Sequence, residues 1–230
     1  MIYCIITDTN NAIDTNKRDC RIIRQPLNLL PDEIKKFVDD TKNASVRAER
    51  LFAYTSLLLG LKEFFGIDNC SVRKNNDGKP YLSTVGGYQY VKDGKEIHIS
   101  ISHSEGLTAV CISDENEVGI DIQCEIDGQR ANRLGKRFFG DIHPTSEEVE
   151  VKYFICNIND DEAMIYSTSL PDSSLDSFTE KWTYSESLMK LSGGGFGDLS
   201  KIHDIAKISK TQIKKYPSQG GCFIAISVKR

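Results

Sequence analysis

Asp121 and Gln123 stand two residues apart in VGIDIQ (118–123), and Glu186 and Lys190 stand four apart in FTEKWTYSESLMKLSGGG (178–195). Side chains two apart in a strand share a face, and side chains four apart in a helix share a stripe. Each pair is therefore aimed at one place if its segment folds as its apolar pattern predicts. Asp121 and Gln123 projecting together from one strand face make a site-like arrangement. Taken alone, Glu186 and Lys190 also fit an ordinary helical ion pair of about 0.2–0.5 kcal/mol.

The elements that must position these groups are legible. Ile97 to Gln123 predicts three short strands. Ile97, Ile99 and Ile101 alternate with His98, Ser100 and Ser102, the pattern of one buried and one polar face. LTAVCIS, after the Glu105-Gly106 turn, is apolar throughout, as a strand covered on both faces would be. Val118, Ile120 and Ile122 fall on one face of the third strand, and Asp121 and Gln123 on the other. One region would then present Ser102, His103, Ser104, Asp121 and Gln123. Phe178 to Leu191 predicts a helix with Tyr184, Leu188 and Leu191 on an apolar stripe and Trp182, Glu186 and Lys190 on a neighbouring face. Gly193-Gly194-Gly195 ends it. No lysine and hydroxyl follow in P-loop register.

Elsewhere, MIYCIIT predicts a first strand, and the segment to Leu30 is polar and irregular. Pro31-Asp32-Glu33 opens a helix ending near Thr41. Ser45 is the predicted N-cap of a longer helix, with Tyr54, Leu57, Leu58, Leu61, Phe64 and Phe65 on its apolar stripe. Arg47 and Arg50 near its start suit either a solvated face or an anion, which arginine holds in bidentate fashion. In RKNNDGKPYLS, Asn76-Asp77-Gly78 is a turn and Pro80 forces Lys79 extended, as a loop lysine or a phosphate contact. Gly86-Gly87 and Asp93-Gly94 flank a predicted hairpin. Helices are expected over 128–139 and from Thr145-Ser146-Glu147-Glu148, a surface excursion over 157–177, and strands around KIHDIAKIS and CFIAISVK, the latter echoing LTAVCIS.

With 39% hydrophobic and 27% charged residues, the 230-residue chain has the composition of a soluble globular protein able to bury a sizeable core. A net charge of −4 argues against nucleic acid as partner. Seven cysteines with no C-x-x-C predict reduced thiols in a cytoplasmic protein, with Cys4, Cys111 and Cys222 as small core residues. His98, His103, His143 and His203 do not pair with cysteine at zinc spacing. No apolar run approaches the roughly 20 residues that span a bilayer, so no membrane is expected.

GKPYL (78–82), ISHS (101–104), VGIDIQ (118–123) and WTYSESLMK (182–190) occur in this order, and together they resemble the 4′-phosphopantetheinyl transferases of the larger, monomeric Sfp-like type. The resemblance spans about residues 45 to 195. It implies an α+β fold of two pseudo-symmetric halves, 1–115 and 116–230, each a small, mostly antiparallel sheet packed with helices, with the site between them. It also implies transfer of the 4′-phosphopantetheine of coenzyme A to a serine of an apo acyl or peptidyl carrier protein, releasing adenosine 3′,5′-bisphosphate with Mg²⁺ as cofactor. By the same resemblance Asp121 and Glu186 are metal ligands, with Gln123 at a third ligand position, and Asp121, Glu186 and Lys190 are the catalytic set. Lys190, His103 and Ser102 would meet the phosphates, Lys79 and Pro80 the nucleotide, and Arg47 and Arg50 the 3′-phosphate.

Two positions depart from the family pattern. Gln123 replaces a usual glutamate, which removes a charge and implies weaker metal binding or a base role passed to Glu186 or a water. Ser185 replaces a usual lysine, which removes a cation from the phosphate or carrier side. A catalytically weak coenzyme A-binding homologue and a plain α+β domain are the competing expectations.

Overall fold

Residues 1–9, 20–23, 30–84, 86–138, 144–158, 163–193, 200–218 and 221–230 are described by a computed structural model, and they form a mixed α+β fold. Strands β1 (Ile2–Asp8) and β2 (Cys20–Ile23) precede helices α1 (Asp32–Asp39) and α2 (Ala44–Phe65). Strands β3 (Ser71–Lys74), β4 (Pro80–Ser83), β5 (Val91–Lys92) and β6 (Lys95–Glu96) make two small hairpins. Next come β7 (His98–Ser104), β8 (Leu107–Ser113) and β9 (Val118–Cys124), then helix α3 (Gly128–Phe138). Strands β10 (Val151–Ile158) and β11 (Ala163–Thr168), helices α4 (Phe178–Ser192) and α5 (Ser200–Lys207), and strands β12 (Ser209–Tyr216) and β13 (Cys222–Lys229) complete the chain.

The main sheet has six strands in the order β2-β11-β10-β1-β8-β7, antiparallel except where β1 meets β10. A second sheet runs β12-β13-β9. One face of the main sheet lies under α2, where Ile5, Val110 and Ile112 meet Leu57 and Leu61. Gly60 sits at the closest approach, where an added Cβ would collide with Ile5 and lie 2.9 Å from Ile112 Cδ1. The other face packs Cys4, Ile6, Ala109 and Cys111 against Ile120, Ile122, Ile224 and Ile226 of the second sheet. This explains why LTAVCIS is apolar throughout: β8 is covered by a helix on one side and a sheet on the other. Helix α4 lies across β9 and β13.

The two sheets are joined at a seam of serines. The hydroxyls of Ser100, Ser102 and Ser104 on edge strand β7 accept the backbone N–H groups of Ile120 (3.0 Å), Ile122 (3.2 Å) and Cys124 (3.3 Å) on β9. Buried backbone donors must find acceptors, and these hydroxyls take the place of a neighbouring strand. The alternation expected for 97–102 is present, but its polar side does not face solvent: Ser100 and Ser102 are buried.

Several local expectations are corrected. Asn43 rather than Ser45 caps α2, accepting from Val46 N–H at 3.1 Å. KIHDIAK is helical (α5), because Ile202, Ile205 and Ala206 recur at helical spacing against α4 and only the residues from Ser209 continue as a strand. Residues 144–150 form no helix. Edge strand β12 takes them up instead, with Glu147 N–H bonded to the Thr211 carbonyl and Ile213 N–H to Ser146 Oγ. The stretch expected as a surface excursion, 157–177, contains β11, whose buried Ala163 and Ile165 belong to the core under α2. Cys20–Ile23, expected to be irregular, pairs with β11. Asp93-Gly94 (φ 50° and 79°) is the turn inside the β5–β6 hairpin rather than its flank. Phe139, Gly194 and Gly195 lie outside the described residues.

The expectation of reduced thiols fails at one pair. Cys124 and Cys222 are register partners on β9 and β13 and form a disulfide, although 98 residues separate them. Cys4, Cys70, Cys111 and Cys156 are free and buried. The expected division at 115/116 does not divide the sheets either. Strands β10 and β11, from beyond it, hydrogen-bond into the sheet that contains β1, β7 and β8. No helix among the described residues is long and apolar enough to cross a membrane.

Candidate functional site

Ser177 starts α4 with a full capping box. Its hydroxyl accepts Glu180 N–H at 3.1 Å, and the Glu180 carboxylate accepts Ser177 N–H at 2.6 Å. Gly193 (φ 75°) closes the helix in the left-handed region that glycine tolerates best. Between these ends α4 lies directly on β9, because Gly119 has no side chain. A Cβ there would collide with Ser187 O and Leu191 N and lie 2.9 Å from Leu191 Cα. That contact sets the helical Glu186 and Lys190 over the strand face that carries Asp121.

Asp121 is buried. Its Oδ1 accepts from Ser102 Oγ and from Lys190 Nζ, both at 2.8 Å, and Lys190 Nζ also donates to Ser102 Oγ at 2.8 Å. Oδ2 is buried with no hydrogen-bond partner among the described residues. Burial raises the Asp121 pKa, with Lys190 and Ser102 pulling the other way. Glu186 is pushed up to about 7, first by burial and then by the Asp121 charge, against the pull of Lys190, a Trp182 hydrogen bond and Arg130. Two carboxylates thus repel each other beside an unsatisfied oxygen.

This donor set fits a divalent cation. Gln123 Nε2 donates to Ser104 Oγ at 3.2 Å and to the Cys124 carbonyl at 3.0 Å, which leaves Oε1 as the acceptor of the amide. Among the described residues no group of three or more His, Cys, Asp or Glu gathers to hold a metal. A cation at Asp121 and Glu186 would draw the rest of its shell from water and ligand oxygens, as Mg²⁺ does.

Beside this cluster opens a cleft of about 230 Å³ whose lining includes Arg50, Lys74, Lys79, His103 and Lys190, with Asp77 as the only acid among the described residues that line it. A chain of net charge −4 therefore concentrates four cations and an imidazole around one opening. The Asn75–Lys79 turn supplies part of the wall. Asn75 Oδ1 accepts from Asp77 N–H (3.0 Å) and Lys79 N–H (2.9 Å), and Gly78 adopts φ 84°. Lys79 Nζ donates to the Leu191 carbonyl at 2.7 Å, at the C-terminal end of α4, and pairs with Glu117 at 3.4 Å. Lys79 thus ties its turn to α4 and has less of its charge free for a ligand.

Most of the site residues expected from sequence come together: Arg50, Lys79, Pro80, His103 and Lys190 line the cleft, with Ser102, Asp121, Gln123 and Glu186 behind it. Arg47 does not join them. It lines a separate pocket with Lys35, Val38 and Leu51, whereas Arg50 lines the cleft with Ala53 and Tyr54. Ser185 is fully buried and donates to the Lys181 carbonyl at 2.9 Å, so that position faces the interior.

Sequence reasoning missed Lys74, Phe37 and Glu49. Lys74 is the register partner of Pro80 and could have been found by pairing the hairpin around its turn. Phe37 lies under the Arg50 guanidinium, 4.6 Å from ring centroid to Cζ, and nothing in the local pattern marked it. Glu49 is buried and meets His103 across 54 residues. No protein-family model matches the chain, and no curated protein matches it.

Proposed function

We propose that the chain is a Mg²⁺-dependent 4′-phosphopantetheinyl transferase of the larger monomeric type, with the fold of that family. Its substrates would be coenzyme A and the serine of an apo acyl or peptidyl carrier protein. The observation that supports this is the convergence of Asp121, Glu186 and Lys190, from two separate motifs, beside a cleft lined by cations.

In the proposed reaction the carrier serine oxygen attacks the phosphorus that bears the pantetheine arm. A new O–P bond forms and the bond to the bridging diphosphate oxygen breaks. Adenosine 3′,5′-bisphosphate leaves with that oxygen and its electron pair. Bound Mg²⁺ would neutralise diphosphate charge, held by Asp121 and Glu186 with Gln123 nearby. Lys190 and His103 would hold phosphate oxygens, and Arg50, Lys74 and Lys79 would hold the nucleotide side. The serine proton would pass to Glu186, directly or through a water.

A coenzyme A-binding homologue with weak catalysis is the second reading, favoured by the neutral Gln123, whose amide is tethered to Ser104 and Cys124. A cytoplasmic setting belongs to the proposal, and the Cys124–Cys222 disulfide is the feature that runs against it. Thermal unfolding with coenzyme A, with Mg²⁺ and with both tests for the site. A rise in Tm that is greatest with both is expected, because a ligand that binds only the folded state stabilises it. No shift with either contradicts both readings.

A further inference from the structure

We propose that Glu49 is a positioning residue that fixes the ring of His103, so that Nε2 is the nitrogen offered to the cleft. Glu49 lies on α2 and is 5% exposed. A carboxylate buried to that degree must be matched by donors on both oxygens. Oε1 accepts Gly106 N–H at 2.7 Å, and Oε2 lies 2.7 Å from His103 Nδ1. Both distances are those of charge-assisted bonds. An ionised carboxylate only accepts, so the proton of this contact belongs to Nδ1. The remaining ring nitrogen, Nε2, is then free for a ligand, and His103 is part of the cleft wall.

The same carboxylate fixes the backbone that carries His103. Glu105 (φ 49°) and Gly106 (φ 83°) form the tight β7–β8 turn, and the Gly106 bond ties that turn to α2. The next residue on α2, Arg50, donates to Thr41 Oγ1 at 2.9 Å and lines the same cleft. One stretch of α2 thus positions both an imidazole and a guanidinium toward a shared opening. With the Nδ1 side of the ring held by Glu49, Nε2 is the atom that His103 presents to a ligand in the cleft.

The expected consequence for ligands rests on the cleft being a diphosphate site, and the test separates the two. Long-range ¹H–¹⁵N NMR of the wild-type protein is expected to show His103 carrying its proton on Nδ1, and E49Q is expected to change that tautomer. Inorganic pyrophosphate serves as the binding probe, and E49Q is expected to weaken it about tenfold or more, the range of a hydrogen bond to a charged group. In an H103A background E49Q should cost nothing further in affinity, because its effect passes through the ring.

A His103 without a proton on Nδ1 in the wild-type protein would overturn the proposal, and so would an E49Q penalty of equal size in the H103A background. If wild-type protein does not bind pyrophosphate, the diphosphate reading fails instead and the NMR result alone decides the role of Glu49. The wild-type spectrum and H103A keep the test decisive if E49Q fails to fold.

Discussion

Lys190 Nζ lies 2.8 Å from Oδ1 of Asp121, while Oδ2 of the same carboxylate is buried without a hydrogen-bond partner among the described residues. One oxygen is held by an ammonium and a hydroxyl, and the other has no hydrogen-bond partner among the described residues. Removing Lys190 leaves a buried charge bonded only by Ser102. Lys190→Ala is expected to lower stability by about 2–3 kcal/mol, below the ~3–5 kcal/mol of a fully buried pair because the Lys190 side chain is 30% exposed. Asp121→Asn should cost less, since Lys190 can return to water. Urea denaturation of both variants checks the order, and an unaffected Lys190→Ala would contradict it.

Glu186 gives the protein a signed dependence on pH. Its carboxyl is pushed from the ordinary 4.5 up to about 7, so the folded state holds this proton more tightly than the unfolded chain does. The penalty for ionising it is absent below about pH 4.5, develops through the interval and is complete above pH 7. Glu186→Gln should therefore be more stable than wild type at pH 8, by on the order of 1–3 kcal/mol, with the difference shrinking toward pH 4–5. Paired urea titrations at the two pH values measure it, and a difference independent of pH would rule out the raised pKa.

Arg50 and Arg47 were equivalent candidates from spacing alone, and the fold separates them. Arg50→Ala should weaken coenzyme A binding about tenfold or more, as loss of a charge-assisted contact does. Arg47→Ala should leave affinity within about threefold, because Arg47 faces another pocket. Calorimetric titration of both variants decides, and equal losses would mean that the cleft is not where the nucleotide sits.

The Cys124–Cys222 bond closes a loop of 98 residues. Cross-links of that span typically stabilise by about 2–5 kcal/mol through the unfolded chain. The double variant Cys124→Ala, Cys222→Ala is expected to lose about 2–4 kcal/mol. Dithiothreitol should lower wild-type stability by a similar amount and leave the double variant unchanged. Equal urea midpoints for the oxidised wild type and the variant would show that the bond carries no stability.

What could be read from sequence was local. The strand character of 97–123, the helical stripe of Tyr184 and Leu188, and the turn at Asn76-Asp77-Gly78 follow from periods and turn chemistry within a dozen residues. The grouping of Ser102, His103, Asp121 and Gln123 was legible because β7, β8 and β9 follow one another closely. What was not legible depends on partners far along the chain. Glu49 looks like any charged residue of a helix until Gly106 and His103 are folded against it. The pairing of Cys124 with Cys222 needs the register of β9 on β13. The extended path of Thr145–Glu148 overrides a good capping pattern, because β12 offers its edge to that backbone.

Transfer is measured most directly by the intact mass of an apo carrier protein after incubation with this protein, coenzyme A and Mg²⁺. The expected result is a gain of one phosphopantetheine on the carrier, abolished by EDTA and by Asp121→Ala or Glu186→Ala. No mass gain across acyl and peptidyl carriers, from protein that still binds coenzyme A, would contradict the transferase assignment and leave a binding protein.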